Sequence, residues 1–131
     1  MKEIVVVAGI ILDKDDKILC VQRGESSKPY ISKKWEFPGG KIEAGESREE
    51  ALVRELQEEL KITVGSLEYL TTVDHKYPDF RLIMHGYTCR IVDLSSPELT
   101  EHLDSCWLFS NELKELDWAA ADIPIVDLLV N

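Results

Sequence analysis

Residues 40–62 read GKIEAGESREEALVRELQEELKI, and the fold turns on how this stretch behaves. Ser47-Arg48-Glu49-Glu50 fits a capping box, in which the Ser47 hydroxyl takes a first-turn N–H and the Glu50 carboxylate reaches back to Ser47. The spacing predicts a helix over 48–60. At about 100° per residue, with Ala51 at 0°, Leu52, Leu56, Leu60 and Val53 fall between about 100° and 200° and should face a core. Glu58, Glu55 and Glu59 fall at about 340°, 40° and 80°, a single acidic arc beside that stripe. Like charges so spaced repel by roughly 0.2–0.5 kcal/mol per pair on an exposed helix, so the arc is unfavourable unless a cation sits in it. A hard divalent ion with oxygen ligands, Mg²⁺ or Mn²⁺, would remove the conflict. A solvated glutamate-rich face is the other reading of the same residues.

Working outward, 4–12 is a β-rich run, Asp13-Lys14-Asp15-Asp16-Lys17 a polar turn, and 18–23 a second strand, which together predict a hairpin. Residues 24–34 are polar and loop-like. Trp35-Glu36-Phe37 reads as a short strand that Pro38-Gly39-Gly40 should end, because proline cannot donate to a ladder and glycine opens other backbone angles. Beyond the helix, 62–73 and 81–92 are strand candidates flanking the turn signal Tyr77-Pro78-Asp79, and 106–109 is a shorter one. Terminal helices are predicted over 111–116 behind Ser110 and 123–130 behind Asp122. Strands interrupted by one strong helix, with more helix at the end, predict an α/β sheet covered on both faces.

A length of 131 residues suits one domain, 1–131, able to bury a core without disulfides or structural metal. Cys20, Cys89 and Cys106 are odd in number and form no CxxC pair, which points to a reducing, cytoplasmic setting. The longest apolar run is too short to span a bilayer and lacks the features of a signal peptide, so neither membrane insertion nor secretion is expected. A net charge of -10 and a pI near 4.7 argue against binding duplex nucleic acid. Residues 1–92 carry 16 acids against 14 bases, whereas 93–131 carry nine acids against Lys114 alone. An anionic ligand should therefore approach the first two thirds of the chain.

The wider pattern is Gly40, five residues, Glu46, seven residues, Arg54-Glu55-Leu56-Gln57-Glu58-Glu59, one residue, and Ile62. This resembles the Nudix box, GX5EX7REUXEEXGU. The departure is Lys61, where the family carries a glycine that we read as a helix C-cap residue, so the box leaves open how this helix ends. The resemblance extends to Trp35-Glu36-Phe37-Pro38-Gly39-Gly40-Lys41-Ile42-Glu43, similar to the approach to the box in MutT-like enzymes, and to Ala121-Asp122-Ile123-Pro124, similar to their base-binding segment. Within that group the chain looks most like the small CTP and 8-oxo-dGTP pyrophosphohydrolases. The resemblance implies a Nudix α/β/α sandwich around a mixed sheet, and Mg²⁺-dependent hydrolysis of a nucleoside triphosphate to monophosphate and pyrophosphate, with Mn²⁺ as a substitute ion. A nucleotide-sensing or interaction domain without turnover is the alternative, and retention of Glu55, Glu58 and Glu59 speaks for the enzyme.

Carried onto this sequence, the resemblance implies Gly40, Glu55, Glu58, Glu59 and Glu101 as metal-holding positions. The general base is a box glutamate or Glu101, for which an ordinary loop acid is the bland reading. Arg54 should hold the glutamates in register through ion pairs, and Glu46 is either a ligand through water or a helix-dipole partner. Arg23, Lys41, Phe37, Tyr77 and Asp122 are the substrate-binding candidates, set against a surface arginine, a solvated lysine, aromatic packing and a helix cap. Phe80 and Trp118 could likewise stack on a base or simply pack. Asp122 stands where MutT-like 8-oxo-dGTP enzymes carry asparagine. An ionised aspartate only accepts, which suits the cytosine amino group and ranks cytidine triphosphates first with 8-oxo-dGTP as rival, whereas a buried, protonated aspartate would regain a donor.

Overall fold

The computed structural model describes residues 1–92 and 96–130. In chain order it runs β1 (Lys2–Leu12), β2 (Ile18–Arg23), β3 (Trp35–Glu36), β4 (Gly39–Lys41), α1 (Arg48–Leu60), β5 (Val64–Lys76), β6 (Phe80–Ile91) and β7 (His102–Leu108). Two short 3-10 segments, Ser110–Glu115 and Ala120–Asp122, then lead into α2 (Ile123–Val130). β1 lies parallel to β6 along its whole length, from Lys2 opposite Phe80 to Leu12 opposite Arg90. Its other pairings, and those of the remaining strands, are antiparallel, so the sheet is mixed, in the order β3-β2-β1-β6-β5.

β1 changes partner along one edge: β2 meets it only at Leu12 opposite Ile18, while β4 occupies that edge at Val6, Val7 and Ala8. The β2 side, carrying β3 and β7, therefore splays away from β1, and a cleft opens in the fork. Pro38-Gly39-Gly40 interrupts the extended run without ending it. Glycine serves there for close approach, since a Cβ on Gly39 would stand 1.9 Å from the Val7 carbonyl oxygen.

Strand alternation builds two cores. Val7, Ile11, Leu19 and Val21 face one side with Ala51, Leu52, Leu56 and Leu60 of α1, while Ala8, Ile10, Ile18 and Cys20 face the other with Leu113, Ile125 and Val126. Each fully buried leucine of α1 contributes about 1.5–3 kcal/mol by leaving water. The helix matches its sequence bounds, and both halves of the capping box form, Glu50 N–H to Ser47 Oγ at 3.1 Å and Ser47 N–H to Glu50 Oε1 at 2.8 Å. Val53 is a correction, being 38% exposed: it sits at the rim of the stripe, near Leu67 on the surface, and Ala51 is buried in its place.

Lys61 answers the question the box left open. It ends α1 in the left-handed conformation, φ 56°, that glycine normally supplies, its N–H bonded to Gln57 O and its Nζ reaching Glu58 O at 3.1 Å. Other bounds move too. β5 begins at Val64 and runs on to Lys76, because Arg81 draws Asp74 into a pair at 2.8 Å that extends the ladder to the Tyr77 turn. β7 begins at His102, four residues before the expected start, since β2 supplies partners back to Arg23. The segment expected as a helix over 111–116 is a 3-10 turn, a form that suits so short a run. No helix among the described residues is long and apolar enough to cross a membrane.

Candidate active site

The fork holds a cleft of about 980 Å³, lined by β1, the end of β2 and the loop after it, β3 and β4, one face of α1, the Tyr77 turn, Glu101-His102 and Asp122. One end is acidic. Glu55 and Glu59 reach it from α1, Glu101 from the residue before β7, and Glu36 from β3. Glu59 is pushed up to about 8, first by burial, then by the charges of Glu55 and Glu101 and by a hydrogen bond with Glu55, with Glu36 adding a little. Gly40 presses against one of these carboxylates: a Cβ there would lie 2.4 Å from the Glu55 carboxyl carbon. The backbone of β4 thus approaches the acids closely because this position has no side chain.

Glu58 stands apart. It is absent from the cleft lining, its side chain is 60% exposed, and it pairs with Arg54 at 3.1 Å. Arg54 is the hub expected from the sequence. It binds Glu46 through Nε at 2.6 Å and Nη2 at 2.9 Å, the Lys41 carbonyl at 3.0 Å, Glu55 at 3.0 Å and Glu58 at 3.1 Å. Glu46 is held below the usual carboxylate range by the Arg54 hydrogen bonds, with help from the Glu43 N–H. A guanidinium so committed positions acids and leaves little for a ligand. Among the described residues no three His, Cys, Asp or Glu side chains are gathered into a ready-made metal cage. The acids line the cleft mouth instead, an arrangement in which ligand oxygens would complete the shell.

The other end is apolar and aromatic, lined by Ile4, Val6, Phe37, Tyr77, Phe80, Leu82 and Met84. Phe37 packs on buried Trp118 with ring centres 4.6 Å apart, which places Trp118 behind the wall. The Tyr77 hydroxyl accepts from the Ala121 N–H at 3.0 Å and its ring meets Phe80 at 5.1 Å. Asp122, 4% exposed, accepts at Oδ1 from the Phe37 N–H at 3.0 Å. The helix-cap reading of Asp122 is thereby corrected, because its side chain bonds to β3's continuation and not to α2. Burial, reinforced by the charge of Glu36, holds its carboxyl well above the ordinary range and favours its protonated form. That direction works against an ionised Asp122.

Three cations, Arg23, Lys28 and Lys41, also line the cleft. Arg23 lines the cleft but spends one nitrogen on Glu36 at 3.3 Å. Lys41 lines it with an exposed side chain beside Gly40. Lys28, from the loop over 24–34, pairs with Asp79 at 2.7 Å and lies over the Phe80 ring, and the Tyr30 hydroxyl donates to the same Asp79. This latch was missed from the sequence, as was Glu36, which touches Arg23 and stands 3.6 Å from His102 Nε2. A carboxylate between two aromatics, Trp35 and Phe37, was the available signal for Glu36. The latch had none, because Tyr30 and Asp79 are 49 residues apart and Lys28 lies farther still from Asp79.

The NUDIX domain family matches residues 2–129. An 8-oxo-dGTP diphosphatase of Proteus vulgaris is 40% identical over 105 residues, 80% of this chain and 89% of that one. A CTP pyrophosphohydrolase of Escherichia coli (strain K12) is 38% identical over 129 residues, 97% of this chain and 91% of that one. The solution structure of a MutT protein from methicillin-resistant Staphylococcus aureus 252 shares the fold with a TM-score of 0.73 at 40% identity, covering 99% of this chain and 98% of that one.

Proposed function

The chain belongs to the Nudix hydrolase family, and from that premise we propose that it is a single-domain nucleoside triphosphate pyrophosphohydrolase that uses Mg²⁺, or Mn²⁺ in its place. Nudix hydrolases generally use divalent metal ions. The observation that carries the reading is the group of Glu55, Glu59 and Glu101 at one end of an open cleft, crowded enough to push Glu59 up to about 8. Acids that resist ionising beside one another fit a hard cation. The close approach of the Gly40 backbone to Glu55 fits too, since no side chain stands between β4 and that carboxylate.

In this reading Glu55, Glu59 and Glu101, with the Gly40 carbonyl, hold the ion, and Glu58 joins them on leaving Arg54. Bound there, the ion would neutralise triphosphate charge and lower the pKa of a water. Arg54 keeps Glu55 and Glu46 in place throughout. Glu101 lies outside that clamp and is the proposed acceptor of the proton from the attacking water. Arg23 and Lys41 meet the phosphates. Phe37 and Tyr77 flank the base, and Asp122 reads it.

In the protonated form that its burial favours, Asp122 would do what an asparagine amide does, one oxygen accepting, as Oδ1 does from the Phe37 N–H, and a hydroxyl donating. That pair complements O6 and the N7 hydrogen of 8-oxoguanine, which moves 8-oxo-dGTP ahead of the cytidine triphosphates first favoured. The test is pyrophosphate release from a panel of normal and oxidised nucleoside triphosphates, with Mg²⁺ and with chelator. Binding of nucleotide without release of pyrophosphate would identify a sensor domain and refute the enzyme.

A further inference from the structure

Three cysteines are present and all are free thiols, none with a place in the proposed hydrolysis. Two of them face each other. Cys20 on β2 stands directly opposite Cys106 on β7, in a stretch whose register is regular, the one shift falling between Gln22 and Arg23. Residues opposite one another in an antiparallel pair have Cα atoms about 4.5–5.5 Å apart, inside the span of about 4.4–6.8 Å that disulfides adopt. Both side chains lie on the same core and each shifts the other's ionisation, while the Cys20 thiol donates to the Ile18 carbonyl at 3.6 Å. Cys20 is fully buried, whereas Cys106 is partly exposed, so a reagent meets Cys106 first. Cys89, on β6, packs in the opposite core and has no thiol near it.

We propose that Cys20 and Cys106 form a latent disulfide site, a thiol pair that a small-molecule disulfide converts into a cross-strand bond pinning β7 to β2. The two steps balance. The Cys106 thiolate attacks one sulfur of an oxidised glutathione, forming a mixed disulfide and expelling one glutathione thiolate. The Cys20 thiolate then attacks the Cys106 sulfur and expels the second. The protein thiols lose two electrons and two protons, and one disulfide reagent becomes two thiols. The bond would sit close to the cleft, because β2 ends at Arg23, opposite His102, and Glu101 directly precedes β7. Among the described residues β7 pairs with β2 alone, so this link would hold the strand that positions Glu101.

The test treats the whole folded chain with oxidised glutathione at pH 8.5. Reaction over hours is expected, since burial raises both thiols and the acids Asp104 and Glu112 raise Cys106 further. The product should lack two hydrogens, carry no glutathione, and yield a digest peptide joining Cys20 to Cys106, with Cys89 still open to alkylation after unfolding. Cys20→Ser should stop at a glutathione adduct on Cys106, and Cys106→Ser should not react. Closing so long a loop should raise Tm by roughly 5 °C or more, reversibly on reduction. A lasting glutathione adduct on the wild-type chain, a cross-link through Cys89, or oxidation only after denaturation would each overturn the proposal.

Discussion

Glu59 carries the tension of the site. An acid whose folded pKa is about 8 against an ordinary 4.5 binds its proton more tightly folded than unfolded. Its contribution to stability is therefore full below about 4.5 and is lost as pH rises through about 8. Without metal, Glu59→Gln should match the wild type near pH 5 and exceed its Tm at pH 8.5 by about 3 °C, the effect of roughly 1 kcal/mol at this chain length once solvent screening is allowed for. Melting curves in chelator check this, and a gap that does not widen with pH would refute it. Glu58 is the contrasting case, exposed and paired with Arg54, so Glu58→Gln should leave Tm within about 2 °C. If it joins the metal site, the same change should cut turnover at least ~100-fold, and near-normal turnover would remove it from that site. At Asp122 burial favours the protonated carboxyl, which mimics an amide, so Asp122→Asn should keep the ratio of 8-oxo-dGTP to CTP hydrolysis within about threefold near pH 7. A tenfold gain in that ratio would show that Asp122 reads the base as an anion.

At the scale of elements, α1 is where local pattern and final structure agree most closely, and its one irregularity is informative. Lys61 in a left-handed conformation costs roughly 1 kcal/mol that glycine would not incur, partly offset by glycine's freer unfolded chain and by loss of the Nζ contact to Glu58 O. Lys61→Gly should therefore raise Tm by about 2–4 °C, read by calorimetry, and any fall would mean that the lysine contact outweighs the strain. The helix was legible because caps and a 3.6-residue stripe are local properties. β4 was not, because Gly39–Lys41 pairs only when β2 has already parted from β1, an event 20 residues earlier in the chain that no turn signal reports. The site divides the same way. Glu55, Glu59 and Arg54 share one helix and were found together, whereas Glu36 gains its meaning from Arg23 and His102 on two other strands. Glu58 was read into the arc from spacing alone, and its side chain instead follows the nearest cation, Arg54.

For the molecule as a whole, the problem is bringing a polyanion to a chain of net charge -10. Of the described residues in the acidic last third only Glu101, His102, Ala119 and Asp122 line the cleft, and burial favours the protonated form of Asp122. Of the remaining cleft acids, Glu59 holds a proton at neutral pH, so the free protein meets its substrate with less negative charge than its composition suggests. An ion entering the acidic end must displace that proton, because a carboxylate coordinates only when ionised. Two consequences can be measured together. Mn²⁺ affinity should rise with pH up to about 8 and level off above it, where Glu59 is already ionised. The calorimetric heat of binding at pH 7 should depend on the ionisation enthalpy of the buffer, corresponding to release of up to about one proton per ion, and that dependence should fade by pH 9. Adding a non-hydrolysable nucleoside triphosphate should tighten the ion further, since its phosphates supply ligands that the scattered acids lack. A Glu59→Gln chain should release no proton on binding the ion. If it releases as many as the wild type, the proton comes from another group, and the account of Glu59 as the acid that yields to metal is wrong.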